Sequence, residues 1–201
     1  INICKEFNYF TIGVVNCPDT TISRIVDCGV YLNAGKEVAV ASTKSFTSTL
    51  IILSLIGVFF KNSFKSIKYL DNLRRLPINV EKLLADKTFR WKINDVSRLL
   101  LKNIRNVRPS IFMLGREKMY PICKEISLKI KEIAYIHSEG YPSGSLKHGP
   151  FAMLSRDNFV ILLIDNKNRE KLQSCFQEIK ARDSNIIIFS DCENIEDEID
   201  L

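Results

Sequence analysis

The segment SLKIKEIAYIHSEGYPSGSLKHGP occupies residues 127–150 and combines two kinds of pattern. Starting one residue earlier, four side chains recur at intervals of four, three and four residues: Ile126, Ile130, Ile133 and His137. That spacing predicts one face of a helix. The second half of the segment is rich in glycine and proline, which predicts a loop that carries Lys147 and His148.

Three charged side chains, Glu125, Lys129 and Glu132, follow the same helical spacing on a neighbouring face. Glu132 could move a proton between carbon atoms if it were held close to a substrate and partly desolvated, with a lysine supplying positive charge. The alternative is a solvated helix face with ordinary ion pairs, which are common at these spacings. His148 is either a proton-transferring histidine or a loop histidine next to a helix start, with Pro150 in the first turn. The residues alone leave both questions open.

The rest of the chain alternates short apolar strands with helices. Buried strands are predicted over five segments, residues 10–16, 29–33, 109–114, 159–164 and 185–189, and a helix over residues 169–181. The strand FVILLI at 159–164 is apolar throughout, as expected for a strand covered on both faces. A strand that runs into Gly115 and is followed by a helix is the start of a parallel α/β unit. The sequence therefore predicts an α/β fold with parallel sheets flanked by helices.

Residues 45–60 contain no charged side chain and predict an apolar helix. A membrane span needs about 20 predominantly apolar residues, whereas this run is shorter and contains several serine and threonine residues near its start. We therefore expect this helix to be buried against a sheet or between subunits, and no membrane to be involved. Residues 63–105 predict amphipathic helices, broken at Leu76 and Pro77, that connect two lobes.

The composition is that of a globular protein, since 46% of the 201 residues are hydrophobic and 26% are charged. The formal net charge is +6, and six acids in the last eleven residues predict a solvated acidic tail. The lysines and arginines between Lys61 and Arg108 are dispersed along helices without interleaved aromatic residues, which argues against binding of nucleic acid. The six cysteines show no metal-ligand spacing, so we expect free thiols, no metal site and a cytoplasmic protein.

Four short segments follow one another between Gly115 and Pro150: GREKMYPIC at 115–123, LKIKEI at 128–133, HSE at 137–139 and SLKHGP at 145–150. Earlier in the chain, residues 33–44 read NAGKEVAVASTK. In order and spacing, both regions resemble the isomerase half of the glutamine–fructose-6-phosphate aminotransferase (glucosamine-6-phosphate synthase) family. That half consists of two sugar-isomerase (SIS) subdomains, and the resemblance covers nearly the whole chain.

Compared with that family, residues 1–62 match the C-terminal half of the first SIS subdomain, 63–108 the helical connector and 109–201 the N-terminal part of the second subdomain. Both SIS lobes would therefore be incomplete, and we expect the chain to be a piece of a longer polypeptide. The family's glutaminase domain, phosphate-binding Ser-x-Ser-Gly-Glu-Thr loop and Schiff-base lysine have no counterpart in this sequence. By itself the chain is therefore expected to be inactive.

The resemblance implies an enzyme that makes glucosamine 6-phosphate from fructose 6-phosphate and ammonia taken from glutamine. In the family, the residue that matches Glu132 moves a proton from C1 to C2 of the sugar, and the one that matches Lys129 assists it. His148 matches the histidine that opens the sugar ring and that reaches into the active site of the neighbouring subunit. A homodimer is therefore implied.

The resemblance also identifies residues that contact the substrate. Val40 matches a residue that contacts the sugar through its backbone, and Ser42 matches one that lies nearby. Ser42 or Thr43 would alternatively serve as the cap of the helix that follows, and both roles are compatible. The resemblance implies a sugar phosphate as the ligand and calls for no metal and no organic cofactor.

The chain departs from the family pattern at several positions. Ile25 and Ser145 stand where glutamate is usual, and Ile126-Ser127 replaces Gly-Ala. Two alternative functions therefore stay open on the sequence alone. The chain could belong to a related SIS sugar-phosphate deaminase or deglycase, or it could be a non-enzymatic SIS module that only binds sugar phosphates.

Overall fold

The computed structural model describes residues 1–61, 65–104 and 109–191. The predicted acidic tail falls almost entirely after residue 191 and so lies outside the described residues. The chain divides into two compact units, Ile1–Phe89 and Arg90–Leu201.

The first unit contains two short parallel strands, and four of the described helices lie entirely within it. In chain order these are α1 (Asn2–Glu6), β1 (Ile12–Val15), α2 (Thr21–Ile25), β2 (Cys28–Tyr31), α3 (Lys44–Lys61) and α4 (Lys65–Ala85). In the parallel pair, Ile12 lies opposite Cys28 and Val15 lies opposite Tyr31. The strands predicted at 10–16 and 29–33 are thus confirmed, although both are shorter than predicted.

The helix α3 confirms the helix predicted at residues 45–60, but none of its residues is buried within the chain. Leu53, Phe59 and Phe60 are 51%, 78% and 68% exposed. Burial of this helix against a sheet of the same chain is therefore not observed within the described residues, while burial between subunits stays a prediction. In that part of the chain, α3 is also the one helix whose length and composition would allow it to cross a membrane.

The predicted helix break at Leu76 and Pro77 is wrong. The helix α4 continues through Pro77 and ends at Ala85, so the interruption between the two helices lies at Asp86 instead. A proline removes one backbone hydrogen bond from a helix, but this helix is 21 residues long and continues on both sides of the proline. Asp86 Oδ1 accepts hydrogen bonds from the N–H groups of Thr88 (2.7 Å) and Phe89 (3.3 Å), so it caps the start of the next helix.

The second unit is a four-stranded parallel sheet with helices on both faces. Its main elements are α5 (Lys87–Ile104, which begins in the first unit), β3 (Ile111–Gly115), α6 (Met119–Ala134), β4 (Ser138–Pro142), β5 (Phe159–Ile164), α7 (Arg169–Lys180) and β6 (Asn185–Ser190). Short 3-10 helices occupy Ser143–His148, Pro150–Met153 and Asn166–Asn168. The strand order is β4-β3-β5-β6, and every pairing is parallel, which confirms the predicted α/β class.

Successive side chains of a strand point to opposite faces of the sheet, which divides the core of this unit into two layers. The layer on one face joins the strands to α5 and α6 and includes Ile111, Met113, Ile161, Val96, Leu100, Cys123, Ile126 and Ile130. The layer on the other face joins the strands to α7 and to the 3-10 helix that ends at His148, and includes Phe112, Leu114, Leu162, Phe176, Ile179 and Leu146. The helix α6 and the segment that carries His148 therefore cover opposite faces of the sheet.

The strand β4 was not predicted, because its sequence SEGYP contains the glycine and proline that are typical of loops. Gly140 is required by packing, since a Cβ there would lie 2.6 Å from the backbone nitrogen of Lys124 in α6. His137 was predicted to lie on the helix and does not, because α6 ends before it. Tyr135 ends the helix in a left-handed conformation with φ of 56°.

Candidate active site

Lys129 lies between two carboxylates on α6. Its Nζ is 2.8 Å from Oε2 of Glu132 and 3.3 Å from Oε1 of Glu125. Spacings of three and four residues place these three side chains on one side of the helix. Cys123 and Ser127 are buried on the opposite side, against the sheet. The charged side of α6 therefore faces away from the sheet of its own unit.

The three charged side chains are partly covered, with exposures of 19% for Lys129, 23% for Glu125 and 27% for Glu132. Hydrogen bonds to Glu132 and then to Glu125 raise the pKa of Lys129. Lys129 is therefore a cation at neutral pH, suited to stabilising negative charge and not to accepting a proton. Within the described residues, Lys129 is the one hydrogen-bond partner of Glu132, so the second carboxylate oxygen is available for proton transfer.

His148 is the last residue of the 3-10 helix Ser143–His148 and is exposed. That helix is anchored by Leu146, which is 1% exposed, and by Lys147, whose Nζ lies 2.8 Å from Glu178 on α7. His148 itself makes no hydrogen bond or ion pair with the part of the chain that the structure describes. Its imidazole is therefore free to act on a group that this unit does not supply.

The structure does not bring Glu132 and His148 together within the second unit. Glu132 projects from α6 on one face of the sheet, whereas His148 follows Leu146 in the core layer on the other face. The Lys129–Glu132 pairing that helical spacing predicted is present, but the spacing gave no indication of this separation.

The other two predicted site residues, Val40 and Ser42, lie in the first unit in the loop between β2 and α3. Val40 is 90% exposed. Ser42 is half-buried, and its Oγ lies 2.6 Å from Oγ of Ser45 in the first turn of α3. An exposed loop of this kind leaves backbone groups available for a ligand.

A carboxylate that the sequence analysis did not single out holds this loop in place. Oε1 of Glu37 accepts the N–H groups of Thr43 (2.6 Å) and Ser45 (3.3 Å), and Oε2 accepts the hydroxyl of Ser45. The Ser45 hydroxyl and then the Thr43 N–H lower the pKa of Glu37 to about 2. Glu37 therefore caps α3, in place of the Ser42 or Thr43 cap considered above. The known capping patterns involve residues next to the start of a helix, whereas Glu37 lies several residues before it, so these patterns did not indicate Glu37.

The first histidine, His137, joins the beginnings of β3 and β4. Its Nδ1 lies 2.9 Å from Oγ of Ser110, and its Nε2 lies 3.7 Å from Oε1 of Glu139. The Tyr141 hydroxyl donates to the other oxygen of Glu139, and that hydrogen bond raises the pKa of Tyr141 to about 12. These contacts explain the presence of a histidine at position 137 by a structural role.

Cysteine and metal chemistry find no support in the described residues. No group of three or more His, Cys, Asp or Glu side chains there is placed to hold a metal ion. The five described cysteines are free thiols. Burial raises the pKa of Cys123 to about 12 and that of Cys175 to about 11, which makes both weak nucleophiles at neutral pH.

Comparison with known proteins identifies one family model, the SIS domain, which matches residues 1–59 and 103–195. The chain is 37% identical over 198 residues to the isomerizing glutamine–fructose-6-phosphate aminotransferase of Wigglesworthia glossinidia brevipalpis, covering 95% of this chain and 31% of that protein. It is also 37% identical over 194 residues to the human isomerizing glutamine–fructose-6-phosphate aminotransferase 2, covering 94% of this chain and 27% of that protein.

A solved structure is similar over almost the entire chain. It is the C-terminal domain of glucosamine-fructose-6-phosphate aminotransferase from Francisella tularensis, with a TM-score of 0.85 and 32% identity. The match covers 98% of this chain and 55% of that chain. Of the two curated aminotransferases described above, by contrast, the chain spans only 27–31% of the length.

Proposed function

Because the chain belongs to the SIS domain family, we propose that it forms part of the isomerase half of a glutamine–fructose-6-phosphate aminotransferase. The reaction would convert fructose 6-phosphate and glutamine-derived ammonia into glucosamine 6-phosphate. The observation that carries the proposal is the pair formed by Lys129 and Glu132, which holds a carboxylate 2.8 Å from an ammonium on the outward side of α6. A carboxylate held beside a cation is suited to proton transfer next to a developing negative charge.

In the proposed mechanism, Glu132 moves a proton between two carbon atoms of the open-chain imine. It removes a proton from C1, the electrons of that C–H bond form a C1–C2 double bond, and the electrons of the C2–N double bond move onto the protonated imine nitrogen, which gives an enolamine. It then returns the proton to C2, where the electrons of the C1–C2 double bond accept it, while the C1 hydroxyl loses its proton to solvent and becomes the aldehyde carbonyl, which gives the 2-amino aldose. Lys129, held as a cation by Glu132 and Glu125, stabilises the negative charge that develops on the sugar.

His148 would act earlier, as the acid and base that opens the sugar ring. Its position on the opposite face of the sheet from Glu132 supports a role in the site of a neighbouring subunit. Its exposure and its lack of a partner among the described residues fit the same role. A homodimer in which each copy lends His148 to the other is therefore part of the proposal.

Val40 and Ser42 would contact the sugar from the loop between β2 and α3. The support is the exposure of Val40 and the anchoring of the loop by Glu37. Preorganised contacts of this kind fix the substrate before the proton moves. No metal or organic cofactor enters any of these steps.

We further propose the domain division 1–62, 63–108 and 109–201 and a cytoplasmic location. The two stretches that the SIS model matches, 1–59 and 103–195, support a division into two SIS pieces with a connector.

The two alternative functions differ from the proposed one in what the complete protein does with a sugar phosphate. A deaminase or deglycase would release the amino group, and a non-enzymatic module would bind without turnover.

The test uses the full-length gene product and measures glucosamine 6-phosphate formed from fructose 6-phosphate with glutamine or ammonia. Glu132→Gln should lower kcat by about 10²–10⁴-fold and leave KM within a few-fold, because the change removes proton transfer and keeps the shape. Glu170→Gln, an exposed acid on α7, is the matched control and should behave like the wild type. A wild-type protein without this activity, or a Glu132→Gln variant within a few-fold of it, would refute the proposal.

A further inference from the structure

We propose that Glu37 is a positioning residue that fixes the Ser42 hydroxyl as a hydrogen-bond acceptor toward the sugar. The inference rests on the proposed function, because it takes Ser42 to lie beside the substrate. Glu37 does not itself touch the sugar in this account. It acts through the hydroxyl of Ser45, which lies between the two side chains.

The direction of the hydrogen bonds follows from counting protons. Ser45 Oγ lies 2.5 Å from Oε2 of Glu37 and 2.6 Å from Oγ of Ser42. An ionised carboxylate only accepts hydrogen bonds, so the single hydroxyl proton of Ser45 must point to Glu37. Ser45 Oγ can then only accept from Ser42. The Ser42 proton is thereby used within the chain, and only its lone pairs remain for a ligand.

The carboxylate keeps this direction over the physiological pH range. Glu37 also accepts the backbone N–H groups of Thr43 and Ser45 at the start of α3, where the helix dipole favours negative charge. The Ser45 hydroxyl, followed by the Thr43 N–H group, lowers the pKa of Glu37 to about 2, so the carboxylate stays ionised. Ser42 is therefore held as an acceptor whenever the protein is folded at neutral pH.

A consequence for specificity follows. A ligand group next to Ser42 must supply a proton, so a sugar hydroxyl is accepted there, whereas a carbonyl oxygen or a fluorine is disfavoured. A site built around one hydrogen-bond direction discriminates against an analogue that cannot match it, because a polar group is then left unpaired. Glu37 would thus set which substituent the loop accepts.

The substitution Glu37→Gln tests this directly, because it keeps the shape and reverses the direction. Its Oε1 can still accept from Thr43 and Ser45, while its amide nitrogen replaces the oxygen that faces Ser45 Oγ. The amide would donate to Ser45, which would donate to Ser42, and Ser42 would become a donor toward the ligand. Ser45→Ala is a second variant that removes the connection but leaves the carboxylate bonded to the backbone of Thr43.

The experiment measures the Kd of fructose 6-phosphate for the full-length gene product, with melting temperature as the measure of folding. Glu37→Gln and Ser45→Ala should each weaken binding about tenfold. Adding Ser42→Ala to Glu37→Gln should cause no further loss, because the Ser42 contact is already compromised. Glu6→Gln, an exposed acid in the same unit, should bind like the wild type.

Each outcome has a distinct meaning. Folded Glu37→Gln or Ser45→Ala protein that binds within twofold of the wild type would overturn the inference. So would a double variant that binds clearly more weakly than Glu37→Gln alone, because Ser42 would then still contribute to binding independently of Glu37. Wild-type protein that does not bind fructose 6-phosphate at all would instead refute the proposed function, and the inference with it.

Discussion

Glu132 and His148 lie on opposite faces of the same four-stranded sheet. Glu132 belongs to α6, which packs on the face that carries Ile111 and Met113. His148 follows Leu146, which packs on the other face. This placement supports the proposal that two copies of the chain each contribute one of the two side chains to a site. The homodimer proposal follows from this separation.

Ser127 is expected to weaken the fold. Its hydroxyl is buried between α6 and the sheet and makes no hydrogen bond to the described residues. A buried polar group without a partner costs about 1–3 kcal/mol. Ser127→Ala should therefore raise the free energy of unfolding by about 1 kcal/mol and the melting temperature by about 2–4 °C.

Ser97→Ala is the matched control for Ser127→Ala. Ser97 is an exposed serine on α5 whose hydroxyl donates to the Ile93 carbonyl (2.8 Å), so this change provides the same gain in helix propensity and removes an exposed hydrogen bond but no buried hydroxyl. Thermal and urea unfolding of both variants decide the question. If Ser127→Ala is no more stable than Ser97→Ala, the buried hydroxyl is not a source of instability.

The stability of the first unit in acid should depend on Glu37. Its pKa is lowered to about 2 from an ordinary value of 4.5. A group with a lowered pKa stabilises the fold at pH values above 4.5, and this contribution is lost as the pH falls toward 2. Glu37→Gln should therefore melt at a lower temperature at pH 7 and lose less stability on acidification. Glu6→Gln should follow the wild-type curve, and a Glu37→Gln curve parallel to the wild type would contradict the prediction.

The isolated 201-residue chain should associate in solution and make no detectable glucosamine 6-phosphate, even with ammonia supplied. The apolar helix α3 has no buried residue, and Phe59 and Phe60 are largely exposed, which favours association. The sequence offers no counterpart of the family's phosphate-binding loop, and a substrate that is not fixed reacts slowly. Light scattering and a turnover assay check both points.

Phe59→Ser combined with Phe60→Ser should reduce association of this chain, whereas Tyr135→Ser, at a still more exposed aromatic residue in the second unit, should not. A monodisperse wild-type chain that turns over fructose 6-phosphate would contradict both parts of the prediction.

Local patterns predicted the features that depend on local geometry. The strand FVILLI was predicted with its observed bounds, Phe159–Ile164, because an apolar run of this length is typical of a doubly covered strand. The contact between Lys129 and Glu132 followed from their spacing of three residues on a helix.

Features that depend on tertiary packing could not be predicted in this way. The sequence of β4 is typical of a loop, and its place in the sheet depends on Gly140 allowing α6 to approach closely. The bonds of Glu37 require the chain to turn back to the start of α3, which no spacing rule encodes. The opposite placement of Glu132 and His148 likewise follows from the strand order and not from their distance in sequence.

The central claim, that one active site takes Glu132 from one subunit and His148 from the other, is tested by complementation. Full-length Glu132→Gln and His148→Ala proteins, each inactive as a homodimer, are mixed after reversible dissociation, and mixed dimers are verified with two affinity tags. Each mixed dimer then contains one site with both residues intact, so random mixing should restore about a quarter of the wild-type turnover. No recovery of turnover, with mixed dimers shown to be present, would contradict the account.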